Sequence, residues 1–169
     1  MSTTAHQTIE EEFVSSVSDL IECYTNSTPH VVPADSYAQR QSTAAIVGFG
    51  DAKFRGSAVL LAKPEVASIL SETTPLNPTD WLGELCNQLV GRLKNKLGKY
   101  GLLPQMGTPV TVAGQHLDLG AVSSQPLAWR VGWEDGHLFA LLTLEVEDGL
   151  ELVADESAAI AEEGSLNLF

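Results

Sequence analysis

The feature that most constrains the fold is one strongly marked helix in the middle of the chain. Asn77 is a good N-cap residue, Pro78 suits the first helical position, and Asp80 carries its charge where the helix dipole favours an anion. Lysines gather towards the other end, where the dipole favours cations, and glycines follow. These signals predict a helix over residues 78–99.

The predicted helix has two different faces. At about 100° per residue, four leucines and Cys86 fall within roughly 60° of Leu82 and form an apolar stripe that must be buried. The opposite stripe, at about 140° to 200° from Leu82, is polar or lacks side chains. It consists of Asp80, Glu84, Asn87, Gly91 and Gly98.

The remaining elements follow from apolar spacing and from turn residues. Apolar residues at three- and four-residue steps predict a first long helix over 8–26, and Pro64 suits the start of a short helix that ends near residue 72. Residues 30–41 are predicted to be a loop. Strands are predicted at 43–50, 54–62, 109–114, 126–133 and 137–147. Turn residues at 50–53 and 134–136 join two pairs of these strands into hairpins.

This order of elements predicts an α+β fold, with an antiparallel sheet packed against two long helices. A long helix precedes a hairpin twice, which indicates a doubled helix-plus-hairpin unit. No linker divides the chain. We therefore expect a single domain over residues 1–153, followed by an acidic C-terminal tail over 154–169.

Net charge limits the classes of partner. The chain has 22 acidic residues against 9 Lys and Arg, a formal charge of −13, and residues 134–169 contain no Lys or Arg at all. Nucleic acid and anionic membranes both require a cationic surface, so we expect neither as a partner. No apolar stretch approaches the roughly 20 residues of a membrane span, and the N-terminus lacks the features of a signal peptide. These observations favour a cytoplasmic protein.

Cysteine and histidine usage gives no support for a metal or a disulfide. Cys23 and Cys86 are too few and too far apart for a disulfide framework, and both are expected to be buried thiols. The four histidines show no metal-ligand spacing. We therefore expect no cofactor bound by this chain itself.

The polar stripe of the central helix has two interpretations. It can be an ordinary solvated face, with Gly91 packed against a neighbouring strand. Alternatively it is a site: Asn87 cannot titrate, but its carboxamide can hold a water in line for attack on an activated bond. Glu84, one turn earlier, can pair with a cation, and Gly91 costs helix stability that the close approach of another surface would explain.

Four basic residues fall within one short window, and they also allow two interpretations. They are Arg92, Lys94, Lys96 and Lys99. The cluster can complement the dipole at the end of the helix, or it can dock an acidic partner beside the polar stripe.

The segment 82–97, LGELCNQLVGRLKNKL, resembles the signature helix of the CheX chemotaxis phosphatases and the related CheC proteins. Their motif is an Asp or Ser, three residues, a Glu, two residues, an Asn and a later Pro. Asp80, Glu84, Asn87 and Pro109 stand at corresponding places. The resemblance extends over about residues 8–150 and is most specific over 80–114.

The resemblance implies a CheX-like phosphatase that hydrolyses the aspartyl phosphate of a CheY-like response regulator. Asn87 would position the attacking water and Glu84 would bind the regulator's lysine, while the regulator supplies the Mg²⁺. Gly91 would leave space for the docked partner, with Asp80, Arg92 and Lys94 around it. The family also implies a homodimer that extends the sheet across subunits.

One departure from the family concerns a second motif that CheC-type proteins carry on the first helix. Here Ser18, Glu22 and Thr25 have that spacing, with Thr in place of Asn, so we expect a structural first helix. The lost motif and the acidic tail keep an alternative open, a non-catalytic dimeric adaptor that binds a response regulator through the same helix.

Overall fold

A computed structural model describes residues 4–37, 40–71, 76–117 and 125–155. The helices within them are α1 (Ala5–Thr25), α2 (Pro64–Ser71) and α3 (Pro78–Gly98). The strands are β1 (His30–Pro33), β2 (Gln41–Gly50), β3 (Phe54–Ala62), β4 (Gln105–Met106), β5 (Val110–Gln115), β6 (Leu127–Trp133) and β7 (Gly136–Val146).

All strands join one antiparallel sheet in the order β1–β6–β7–β3–β2, with β5 and β4 paired one after the other along the outer side of β2. The two hairpins, β2–β3 and β6–β7, meet at the centre through the β3–β7 pair. The predicted α+β class with an antiparallel sheet is thereby confirmed. This order is compatible with a doubled unit, and the doubling itself stays a prediction.

The main core lies between the helices and one face of the sheet. Alternate residues of the central strands point into it, such as Ala58 and Leu60 of β3 and Leu142 of β7, and all three are buried. They meet fully buried side chains of α1 and α3, including Phe13 and Leu89. Helix α3 is therefore fixed on the sheet by its apolar stripe, which leaves its other face turned away from the sheet.

A second, smaller cluster covers the other face of the sheet. It consists of Ala44, Val59, Leu61, Phe139 and Leu141. Partly buried residues from the loops, among them Tyr37 and Leu117, pack against it. Because both faces are covered at the centre, strands β3 and β7 are buried over most of their length, which accounts for their nearly unbroken apolar sequence.

Two expectations from the sequence are wrong, and one strand was not predicted. Residues 30–41 contain strand β1, whose four residues pair with β6 at the sheet edge. An edge strand tolerates proline, so Pro33 does not prevent the pairing. The short strand β4 also forms in a stretch that carried no strand signal. Cys23 is exposed, whereas Cys86 is buried as expected.

No helix among the described residues is long and apolar enough to cross a membrane. The final hairpin is followed by an irregular segment that returns to helix α3, where the Asp155 backbone N–H donates to the Lys99 carbonyl oxygen at 2.7 Å. The predicted acidic tail lies outside the described residues from position 156 onward.

Candidate functional site

Helix α3 carries the candidate site, and its start is fixed by the predicted cap. Asn77 Oδ1 accepts a hydrogen bond from the Asp80 backbone N–H at 3.0 Å, and Asn77 Nδ2 donates to Asp80 Oδ2 at 2.5 Å. The exposed Asp80 carboxylate is thus engaged in the cap. Its suggested contact with a partner stays a prediction.

The apolar stripe of α3 holds the helix against the sheet beneath the site. Cys86, directly before Asn87, is fully buried, and its thiol donates to the Ala58 carbonyl oxygen at 3.5 Å. Burial raises the pKa of the Cys86 thiol to about 12. The thiol is therefore neutral and unreactive at physiological pH, and it takes no part in the chemistry.

Glu84 and Asn87 lie side by side on the opposite face of α3. Three positions apart, they are neighbours on the helix surface, and both are half-buried. The Asn87 side chain makes no hydrogen bond to any residue that the structure describes. Its carbonyl oxygen and its amino group are therefore available to a water and to a ligand, as a water-positioning role requires.

Gly91 lies in open space one turn beyond Asn87. A Cβ atom added at Gly91 would meet no atom of the described residues within 4 Å, and the same holds for Gly98. Gly83, by contrast, faces β5, where an added Cβ would lie 3.0 Å from Thr111 Cγ2. Packing against a strand therefore explains why residue 83 is a glycine, but it does not explain the glycine at position 91. The interpretation that Gly91 packs against a neighbouring strand is wrong.

The face of α3 that carries Glu84, Asn87 and Gly91 is bordered on both sides. Helix α1 lies along one side, where the Tyr24 hydroxyl donates to Gln88 Oε1 at 2.7 Å. On the other side, Pro109 lies close to Gly83. The Pro109 Cβ is 3.8 Å from the position that a Cβ atom added at Gly83 would take. The motif proline therefore lies directly before β5 and faces α3 at Gly83, the residue before Glu84.

The predicted basic cluster is divided by contacts with α1. Lys96 Nζ lies 2.6 Å from Asp19 Oδ2, and Lys99 Nζ lies 2.6 Å from Glu12 Oε1. The hydrogen bond to Glu12 is the main reason why the pKa of Lys99 is raised. Lys94 makes no hydrogen bond or ion pair with the described residues, and Arg92 is half-buried on the same helix.

The second motif on α1 is occupied by local contacts. The Thr25 hydroxyl donates to the Ile21 carbonyl oxygen at 2.8 Å, and Glu22 Oε1 accepts from the Thr28 hydroxyl at 3.2 Å. A hydroxyl that is bonded to its own helix cannot position a water as a free carboxamide can. These contacts favour a structural role for α1.

Two residues near the site were not predicted from the sequence. Gln88 makes the contact with Tyr24, and its Nε2 donates to Glu84 Oε1 at 3.4 Å. The sequence places Tyr24 in the core stripe of α1, and only the packing of the two helices brings its hydroxyl to α3. Spacing alone gave no signal for this contact.

Among the described residues there is no group of three or more His, Cys, Asp or Glu side chains that could hold a metal ion. The expectation that the response regulator supplies the Mg²⁺ remains a prediction. With the described residues, the arrangement can position a water through Asn87 and attract a cation through Glu84.

No family model matches the chain, and no curated protein matches it in sequence. Solved structures do match. The chemotaxis protein CheX from Vibrio vulnificus is 20% identical, with a TM-score of 0.67 over 82% of this chain and 99% of that one. CheX from Desulfovibrio desulfuricans is 19% identical, with a TM-score of 0.66 over 82% of this chain and 99% of that one.

A third match is a complex of CheX with CheY, BeF3 and Mg²⁺ from Borrelia burgdorferi. It is 17% identical, with a TM-score of 0.66 over 83% of this chain and 98% of that one. A CheC-like superfamily protein from a Shewanella species matches with a TM-score of 0.66. The protein therefore has the fold of the CheX and CheC-like proteins, over nearly the full length of each of these structures.

Proposed function

We propose that this protein is a CheX-like phosphatase that hydrolyses the aspartyl phosphate of a CheY-like response regulator. The observation that carries the proposal is the pair Glu84 and Asn87, adjacent on an open face of α3 in a protein with the CheX fold. The match to a CheX–CheY complex supports this class of partner. The space at Gly91 lets another protein approach the pair closely.

In the proposed reaction Asn87 enters the regulator's phosphorylation pocket and holds one water. Its carbonyl oxygen accepts a hydrogen bond from the water, and its amino group donates towards the phosphoryl oxygens or the water. The water oxygen attacks phosphorus, and the bond from phosphorus to the aspartyl oxygen breaks. Inorganic phosphate and the free carboxylate result, with the protons of the water taken up by phosphate and solvent.

In this proposal the rate comes from positioning, because an acyl phosphate is already activated and needs no strong base. Glu84 pairs with the regulator's lysine and fixes the orientation of the docked helix. Mg²⁺ is part of the phosphorylated substrate and is held by the regulator. The proposed setting is the cytoplasm, where response regulators act.

We further propose that the protein is a homodimer that extends its sheet across subunits. Strand β5 supports this, since among the described residues it lies at an edge of the sheet, and it exposes Val110 and Val112. The mass in solution tests it. We expect the wild-type protein to be a dimer and the Val112→Lys variant to be a folded monomer. A wild-type protein that is monomeric at micromolar concentration would contradict the proposed homodimer.

Loss of phosphate from a phosphorylated regulator in Mg²⁺ tests the catalytic proposal. The wild-type protein should accelerate it, and Asn87→Ala should reduce the acceleration by about 100-fold or more. Asn95→Ala is the matched control, because Asn95 is an exposed carboxamide on the same helix, two turns further on. Its acceleration should equal that of the wild type.

The adaptor alternative gives a different result in the same assay. An adaptor would bind the phosphorylated regulator and leave its rate of phosphate loss unchanged. Tight binding without acceleration would therefore contradict phosphatase activity and favour the adaptor.

A further inference from the structure

Two hydrogen bonds connect helix α1 to the carboxylate of Glu84. The Tyr24 hydroxyl donates to Gln88 Oε1 at 2.7 Å, and Gln88 Nε2 donates to Glu84 Oε1 at 3.4 Å. The first bond is short and the second is long, so the strong contact is the one that fixes Gln88. Glu84 is thus linked, through one intermediate side chain, to a residue on a different helix.

The direction of these two hydrogen bonds follows from the chemistry of the carboxamide and the carboxylate. A carboxamide has an acceptor at one end and donors at the other, and a carboxylate can only accept. If the Gln88 amide were reversed, its oxygen would face the Glu84 carboxylate and repel it. The Tyr24 hydroxyl can donate to the amide oxygen or accept from the amino group, so it is the Glu84 carboxylate that selects the orientation in which the amino group faces Glu84 and the Tyr24 hydroxyl donates to Oε1.

Tyr24 is itself firmly held. Its ring packs edge-on against the ring of Trp81, with centroids 5.2 Å apart and an interplanar angle of 80°. Trp81 is only 6% exposed, so Tyr24 rests on the core rather than on a mobile surface group. The ion pair between Lys96 and Asp19 fastens the same two helices further along.

We propose that Tyr24 and Gln88 are positioning residues that hold the Glu84 carboxylate ready for the cation of the response regulator. This inference rests on the proposed function. Gln88 restrains one carboxylate oxygen, Oε1, and leaves Oε2 for the incoming lysine. A restrained carboxylate loses less conformational freedom on binding than a freely rotating one, which favours the complex.

Because the two residues act through Glu84, they affect docking and leave the water-positioning step to Asn87. Tyr24→Phe keeps the ring contact with Trp81 and removes only the donor. We expect it to raise the dissociation constant of the regulator about three- to tenfold and to leave the hydrolysis rate at saturation unchanged. Gln88→Leu removes the intermediate side chain and should have the same effect.

The test is the dissociation constant, measured by calorimetry, for a CheY-like regulator loaded with beryllium fluoride and Mg²⁺, which is not hydrolysed. Tyr100→Phe is the matched control. The Tyr100 hydroxyl donates to Glu12 Oε1 at 3.0 Å, so this variant also loses a hydroxyl contact between α1 and the end of α3. It has no connection to Glu84 and should bind as the wild type does.

A double-variant comparison separates positioning from general loosening of the helices. In a Glu84→Ala protein, adding Tyr24→Phe should cause no further loss of affinity, because the residue through which Tyr24 acts is gone. A Tyr24→Phe protein that binds as tightly as the wild type, while Glu84→Ala binds more weakly, overturns the positioning inference alone. A wild-type protein that does not bind the loaded regulator overturns the proposed function as well.

Discussion

Lys96 on α3 is tied to Asp19 on α1, with Nζ and Oδ2 2.6 Å apart. Lys96 Nζ also donates to the Ser15 hydroxyl at 2.6 Å. One of the four clustered bases therefore serves the packing of the two helices, and Lys99 does the same through Glu12. Lys94 is a base on α3 that is available to a partner near Asn87, since it has no ion pair among the described residues.

The two lysines should consequently give different results when each is replaced by alanine. Lys94→Ala should weaken binding of the acidic regulator about two- to fivefold, with a smaller dependence on salt, because a charge at the rim of the interface is lost. Lys96→Ala should leave the affinity unchanged and lower the free energy of unfolding by at most about 1 kcal/mol. Calorimetric titration at two salt concentrations and urea unfolding measure these effects. Equal losses of affinity in both variants would contradict the division of the cluster.

The open space at Gly91 predicts that the free protein tolerates a side chain there and that the complex does not. Gly91→Ala should raise the free energy of unfolding by about 0.5–1 kcal/mol, since a helix-interior glycine loses more backbone entropy than alanine. Gly91→Trp should fold and should weaken regulator binding about tenfold or more through a clash. Urea unfolding and titration with the loaded regulator measure both.

Gly83 provides the comparison for Gly91. An added Cβ there would lie 3.0 Å from Thr111 Cγ2, so Gly83→Ala should gain less stability than Gly91→Ala or lose some. If Gly91→Trp bound the regulator as tightly as the wild type, the docking of a partner over Gly91 would be refuted.

The two cysteines should differ sharply in reactivity. Cys23 is exposed, and the burial of Cys86 raises the pKa of its thiol to about 12. At pH 8 the folded protein should therefore react with a thiol reagent at Cys23 alone, and a Cys23→Ser variant should react only after unfolding. Mass spectrometry of the labelled protein measures this. Labelling of Cys86 in the folded Cys23→Ser protein, at the rate of a free thiol, would show that this side of α3 is not packed on the sheet.

Local signals predicted the scaffold of the site well, because they depend on neighbouring residues. The cap formed by Asn77 and Asp80 gave the start of α3, and helical spacing placed Glu84 and Asn87 on one face. Strand β1 was missed because its four residues become a strand only through pairing with β6, about a hundred positions away in the sequence. Pro29 directly before this strand and Pro33 at its last position indicate a loop when they are considered alone.

The surroundings of the site depend on tertiary packing and could not be predicted from spacing. Gly83 and Gly91 look alike in the sequence, yet one meets β5 and the other meets nothing within 4 Å. Lys94 and Lys96 also look alike in the sequence, and only the packing of α1 beside α3 brings one of them, Lys96, into an ion pair with Asp19. The contact from Tyr24 to Gln88 requires the same packing of α1 on α3.

The most direct test of the central claim is the rate constant for phosphate loss from the phosphorylated regulator at saturating protein, compared between the wild type and Asn87→Ala. We expect the variant to bind the regulator loaded with beryllium fluoride as tightly as the wild type and to lose about 100-fold or more of the acceleration. An Asn87→Ala protein that keeps the full acceleration at saturation would contradict a water-positioning role for Asn87.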